Sequence, residues 1–270
     1  MDITIAIICS TDILLDKCLK SIPDGVPILV VLNNPNKSVL DIVENDTRIK
    51  TIRYDESNLG YLRQLAADSV TTKGIMYIDS DCVIEQETVE TVMAELESFA
   101  AVSIPMKYKR ESFSTAIVSR CREFTTPDKT LFIPAAFRLD VQEKIGGYLY
   151  DKRLSWGEDS DQKQRLLESN IPFTISRGCI WHCALNFCAD AKSAIRLGAG
   201  RLIQEKYGYF PKRSFLKDYF SFKDIHYTIC CIKKTGIMPA IYHLLVWRPV
   251  YKYGYWKEVL KHGRKHTNNK

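Results

Sequence analysis

Three observations predict an α/β fold with a mostly parallel central sheet, flanking helices and a basic helical C-terminal extension. Four short β-branched apolar runs in the first third are separated by helix-compatible stretches, each run ends in polar residues, and the last third changes sharply in charge. The runs are Ile3–Cys9, Ile28–Leu32, Ile49–Tyr54 and Ile75–Ile78. Leu15, Cys18, Leu19 and Ile22 recur at helical spacing before the Pro23-Asp24-Gly25 stop, and Val89, Val92, Met93 and Leu96 recur after Asp81. Further on, Leu131–Ala135 reads as a strand, Asp140–Ile145 as a short helix halted by Gly146-Gly147, and Glu158–Ser169 as a longer helix. Residues 189–263 read as helices divided by Pro211 and by Gly236–Pro239. The expected division is a catalytic domain over 1–185 and an extension over 186–270.

The 270 residues are 46% apolar and 26% charged, with 23 Gly plus Pro, a composition that excludes disorder and collagen. Nine cysteines in no CxxC pair fit neither a disulfide framework nor a zinc ribbon, so they are expected reduced and mostly buried. Cys179, Cys183 and Cys188 surround His182, but at spacings that match no standard zinc finger. No run reaches the roughly 20 apolar residues of a spanning helix. The Met1-Asp2 start lacks the basic opening of a signal peptide, so a cytoplasmic chain is expected.

Charge is unevenly placed. Residues 1–191 carry 21 Lys plus Arg against 28 Asp plus Glu, a net of −7, and residues 192–270 carry 17 against 4, a net of +13. Aromatics interleave with those basic residues, among them Tyr207, Tyr209, Phe210, Phe215, Tyr219, Phe220, Trp247, Tyr251 and Trp256, a mixture suited to anionic lipid headgroups or to nucleic acid. An ordinary solvated face with snorkelling lysines has the same composition.

In an open parallel sheet the ligand sits beyond the carboxyl ends of the strands. Those ends carry Ser10-Thr11-Asp12, Asn33-Asn34, Asn58-Leu59-Gly60 and Asp79-Ser80-Asp81. Neither GxGxxG after the first strand nor GxxxxGK[ST] anywhere occurs, which argues against a dinucleotide Rossmann site and a P-loop. Two carboxylates one residue apart at a rigid strand end suit Mg²⁺ or Mn²⁺ bridging to a diphosphate. A helix cap explains either acidic cluster taken alone.

The Asp79-x-Asp81 pair is followed by Pro134-Ala135-Ala136-Phe137, Ile145-Gly146-Gly147-Tyr148 and Trp156-Gly157-Glu158-Asp159. In this order, over about residues 1–185, the sequence resembles the family 2 glycosyltransferases, inverting enzymes with the GT-A fold. The resemblance implies a hexosyl- or N-acetylhexosaminyltransferase that uses a nucleotide sugar, a UDP-sugar above all, with Mn²⁺ or Mg²⁺. It places Asp159 as catalytic base, Trp156 and Glu158 on the acceptor, and Asp81 with His182 on the metal. Thr11, Asn33, Asn58, Gly60, Arg63 and Asp79 are expected to bind the nucleotide sugar, Asp79 through the ribose or a metal-bound water. Two departures stand out. The position where a base-reading carboxylate usually ends the second strand falls near Leu32-Asn33, so either an amide reads the base or the register has slipped, and Arg63 stands near the position, Leu65, where the family carries an arginine.

The expected function is therefore inverting transfer to a glycan, possibly lipid-linked, in cell-surface polysaccharide or glycoconjugate synthesis. The extension is expected to hold the enzyme peripherally on the cytoplasmic face of an anionic membrane, the helix candidate Ile237–Lys261 lying in the interface with its regularity broken by Pro239 and Pro249. A sugar nucleotidyltransferase also uses paired aspartates, but wants a Gly- and Arg-rich loop after the first strand, and Ile7–Asp12 has none. A non-catalytic nucleic-acid binder would exploit the +13 segment, but the −7 body would repel phosphate, so no nucleic-acid partner is expected.

Overall fold

The computed structural model describes residues 1–11, 14–55, 58–125, 131, 133–208 and 222–267. Asp12, Glu56, Ser57, Pro211 and the aromatics Tyr209, Phe210, Phe215, Tyr219 and Phe220 lie outside the described residues. The chain divides into two units, one of residues 1–107 with 128–183 and one of residues 108–127 with 184–270.

The first unit is built on β1 (Ile3–Cys9), β2 (Ile28–Leu32), β3 (Ile49–Arg53) and β4 (Gly74–Asp79), the four apolar runs of the sequence. With β6 (Ala101–Ser103), β8 (Ala135–Arg138) and β9 (Phe173–Ile175) they make a seven-stranded sheet ordered β3-β2-β1-β4-β8-β6-β9. Only β8 is antiparallel to its neighbours β4 and β6. The strand expected at Leu131–Ala135 begins only at Ala135. Pro134 has no N–H to give a ladder, and β8 has a hydrogen-bonded neighbour on each side.

Alternation along the strands fills two cores. Ile5, Ile7 and Val30 pack on one face with Leu19, Val39 and Val92 of α1 (Leu15–Lys20), α2 (Lys37–Glu44) and α4 (Thr88–Ser98). Ala6, Leu29 and Val31 pack on the other with Leu62, Ala66 and Leu166 of α3 (Leu59–Ser69) and α7 (Glu158–Glu168). Both faces are covered, so the strands read as unbroken apolar runs. The strand order reverses between β1 and β4, which puts the switch point at the carboxyl end of β4, where Asp79 is the last strand residue.

A second, three-stranded sheet joins β5 (Cys82–Ile84), β10 (Ile180–His182) and β7 (Met106–Tyr108). The antiparallel register pairs His182 with Cys82 and Ile180 with Ile84.

The second unit comprises α5 (Phe113–Thr125), α8 (Phe187–Lys206), α9 (Phe222–Thr235), α10 (Ile237–Tyr242), a π-helical turn at His243–Trp247 and α11 (Arg248–Thr267). Ile117, Val118, Cys121 and Tyr242 form its core. Gly236, at φ 95°, separates α9 from α10 where the sequence expects a break. Pro239 falls in the first turn of α10, where N–H groups lack intrahelical acceptors in any case. Pro249 is the second residue after the π turn, whose wider ring relieves the missing N–H, so the Ile237–Lys261 helix continues with a bulge where the sequence suggested broken regularity.

Helices α8 and α11 meet at Gly198 and Gly254. A Cβ on Gly198 would lie 2.0 Å from the Tyr251 carbonyl oxygen, and one on Gly254 would lie 2.2 Å from that of Ile195. Gly254→Ala must therefore part the helices, at an expected cost of about 1–3 kcal/mol. Thermal denaturation checks this, and an unchanged midpoint would show that the crossing is loose.

Candidate active site

The site begins at the end of β4, where Asp79 and Asp81 bracket the turn into β5. Asp79 and Asp81 are half-buried. The β5–β10 register brings His182 across from Cys82, so that His182 Nε2 lies 3.3 Å from Asp81 Oδ2. The Cys183 N–H donates to the Asp81 backbone carbonyl at 3.0 Å, and the Cys183 thiol lies 3.4 Å from Asp81 Oδ2. The donor atoms of Asp81, Cys82 and His182 all lie within 4.8 Å of one another. Residues a hundred positions apart are thus joined by one short ladder.

All nine cysteines are free, six of them buried. Of the three cysteines around His182 in the sequence, Cys183 lies beside Asp81, Cys179 is buried and bonded to Thr88 through its backbone, and Cys188 is exposed on α8. Cys82, which nothing in the sequence singles out, lies with its thiol 3.9 Å from Asp81 Oδ1. Burial, reinforced by the charges of Asp79 and Asp81, pushes its thiol well above the usual range. The Asp81 carboxylate and the His182 imidazole offer oxygen and nitrogen donors that fit a divalent ion of the Mn²⁺ or Mg²⁺ type.

The second part of the site is the start of α7. Gly157, at φ 78°, makes the turn into the helix, and Glu158 and Asp159 are its first residues. Glu158 is 2% exposed and pairs through Oε1 with the Arg63 guanidinium, itself 7% exposed. Asp159 is half-buried and accepts the Ser160 N–H at 2.7 Å. Burial raises the Asp159 carboxyl above its ordinary value, with Arg63 and the Ser160 N–H opposing the rise. Burial also lifts Glu158, to about 7, Arg63 opposing and Asp159 adding. Asp79 is raised by burial as well, with Arg63 opposing, Asp81 and Asp159 adding and His182 opposing. These mutual effects put Arg63, Asp79, Asp81, Asp159 and His182 in one electrostatic neighbourhood.

The Asn58-Leu59-Gly60 turn is tied to the approach to α7. Asn58 caps α3 through the Tyr61 N–H and donates to the Lys152 carbonyl at 2.6 Å. The Gly60 N–H donates to the Leu154 carbonyl at 2.9 Å, and a Cβ there would lie 2.3 Å from the Asp151 carbonyl oxygen. Gln64, absent from the sequence-based site, accepts the N–H groups of Leu149 and Tyr150, both at 2.8 Å. Trp156 is half-buried in the same approach. Thr11 is exposed after β1, and half-buried Asn33 follows β2 with its N–H on the Cys9 carbonyl at 2.9 Å.

A rigid acidic strand end with an imidazole beside it and a helix start that presents carboxylates thus share one neighbourhood. The Glycosyl transferase family 2 profile matches residues 12–157, more than half of the sequence, and the chain belongs to that family. The crystal structure of S. aureus TarS residues 1–349 in complex with UDP-GlcNAc is similar at a TM-score of 0.52 and 13% identity, over 97% of this chain and 92% of that one. The UDP complex of the same protein gives 0.51 and 14% over the same shares. At such identity the likeness is one of fold, and the fold is GT-A-like. No curated protein matches the sequence.

Proposed function

We propose that the protein is an inverting glycosyltransferase that moves a hexose or N-acetylhexosamine from a UDP-sugar to a glycan acceptor in cell-surface polysaccharide or glycoconjugate synthesis. The observation that carries this reading is the pairing of Asp81 with His182 at one edge of a carboxylate cluster that includes Asp159. Family membership supports sugar transfer, and the TarS complexes, which hold UDP-GlcNAc and UDP, support a UDP-sugar as donor.

The chemistry is a single displacement. Asp159 takes the proton of the acceptor hydroxyl as its oxygen forms a bond to the sugar's anomeric carbon. The bond from that carbon to the β-phosphate oxygen breaks, and UDP departs with the electron pair, inverting the configuration. Asp81 and His182 would hold a divalent cation, assisted by Asp79 through water, and when bound it supplies positive charge to the leaving diphosphate. Trp156 offers an apolar face to the acceptor ring. Mixing the protein with UDP-GlcNAc, UDP-glucose and UDP-galactose in Mn²⁺ tests the reading. Release of UDP dependent on a glycan acceptor supports it, and no release from any donor overturns it.

The second unit suits peripheral attachment of the enzyme to an anionic membrane. Among the described residues, every exposed large apolar side chain except Leu167 belongs to this unit. Ile237, Met238, Ile241, Leu244 and Leu245 crowd α10 and the π turn, and exposed Lys233 and Lys234 immediately precede them. Lysines beside an apolar face contribute about 1 kcal/mol each towards an acidic leaflet. No helix among the described residues is long and apolar enough to cross a membrane. The protein is expected to float with vesicles containing acidic lipid at low salt and to lose this binding on Leu245→Glu. Failure of the unaltered chain to float would remove the membrane from the proposal.

A further inference from the structure

We propose that Arg63 is a positioning residue: through Glu158 it fixes the first turn of α7, and with it the Asp159 carboxylate, against the strand end that carries Asp79. The proposal rests on the transferase reading and reassigns an arginine whose sequence position suggested a contact to the nucleotide sugar.

Arg63 sits where three elements meet. Its backbone carbonyl accepts the hydroxyl of Tyr77 at 2.7 Å, which ties α3 to β4 two residues before Asp79. Its guanidinium lies 5.7 Å from the centre of the Tyr150 ring and reaches Glu158 on α7. Both charged groups are buried, so the guanidinium is turned inward to a carboxylate and away from solvent.

The helix start needs this support. Gly157 offers no capping side chain, so the first turn of α7 has no N-cap oxygen, and the one side-chain oxygen on its N–H groups is that of Asp159 itself, on Ser160. Glu158 Oε2 has no hydrogen-bond partner among the described residues, and neither amide atom of buried Gln162, one turn on, has one. Arg63 is therefore the described side chain that holds the Glu158 carboxylate. Asn58, Gly60 and Gln64 anchor the approach segment at residues 149–154, and Arg63 extends the same clamp from α3 to the helix itself.

The alternative role, a direct contact to the donor diphosphate, predicts different kinetics. A contact made equally in ground and transition states shows in KM, whereas misplacement of a base shows in kcat. Removing one member of a buried pair leaves an uncompensated charge and can unfold the chain, so Arg63→Met is studied together with Glu158→Gln in one double variant, in which both charges are absent.

The double variant is expected to melt near the unaltered protein and to keep KM for the UDP-sugar within about three-fold, while kcat falls by roughly 10²-fold. Arg63→Lys should recover part of kcat, since an ammonium keeps the charge and loses the planar fork. Hydrogen exchange of the amides of residues 158–162 should quicken in the double variant. A large rise in KM with kcat preserved would make Arg63 a donor ligand and overturn the proposal. Unaltered kcat and unaltered exchange in the folded double variant would reduce the pair to a stability feature and also overturn it. If the unaltered protein turns over no UDP-sugar, the transferase reading fails, while the exchange measurement still decides whether Arg63 orders α7.

Discussion

Asp159→Asn is expected to leave UDP-sugar affinity unchanged and to lower kcat by roughly 10²- to 10⁴-fold. The substitution preserves shape and hydrogen-bonding reach but removes the ability to accept a full proton. Asp159 is half-buried at the second position of α7, where the helix dipole favours its charge. Burial is the larger influence and raises its carboxyl, with Arg63 and the Ser160 N–H partly offsetting it. A base acts only when ionised, so the sign follows directly: as pH falls through the raised value the carboxylate is protonated and kcat declines. The acid limb of the kcat profile should therefore lie above the pH of an ordinary aspartate, and it should vanish from the residual activity of Asp159→Asn. Loss of donor binding equal to the loss of kcat would identify Asp159 as a structural or substrate-holding carboxylate.

The sheet was legible because its physics is local. Ile3–Cys9 and Ile28–Leu32 are strands at the bounds their apolar runs suggest, since a strand covered on both faces has no reason to alternate in polarity. The Leu131–Ala135 run was misplaced because its apolar character outweighed a proline that cannot join a ladder. The strand-end carboxylates and the Trp156–Asp159 segment were legible as chemistry, but their neighbours were not. That Glu158 faces Arg63, and that His182 and Cys183 lie beside Asp81, depend on how α3 meets α7 and on the β5–β10 register. Both are contacts between segments about a hundred residues apart. A one-residue slip of that register would turn His182 to the other face of its strand, and nothing in its own sequence surroundings fixes the choice. Gln64 carried no signal of its own, because its burial beside Arg63 is set by how α3 meets the segment at residues 149–150.

Asp81→Ala should abolish Mn²⁺-dependent UDP binding and reduce transfer by at least about 10³-fold, the equivalent of about 4 kcal/mol of transition-state stabilisation. The fold should survive, because Asp81 lies beyond β4 and the bond that closes the turn, from the Cys183 N–H to the Asp81 carbonyl, uses only backbone. His182→Ala removes the second donor and leaves the carboxylate, so its loss of activity should be smaller and should be partly recovered at higher Mn²⁺. Cys82→Ser separates this arrangement from a thiolate site: the change leaves the Asp81 carboxylate and the His182 imidazole in place, so metal dependence should stay as it was. Calorimetry of UDP binding with and without Mn²⁺, followed by chelation with EDTA, measures all three. If Asp81→Ala binds UDP with undiminished Mn²⁺ dependence, the cation is held elsewhere. If the unaltered enzyme transfers sugar equally well in EDTA, the leaving diphosphate must be stabilised by protein cations, and the pairing of His182 with Asp81 at 3.3 Å is then a hydrogen bond that orders the β5–β10 edge.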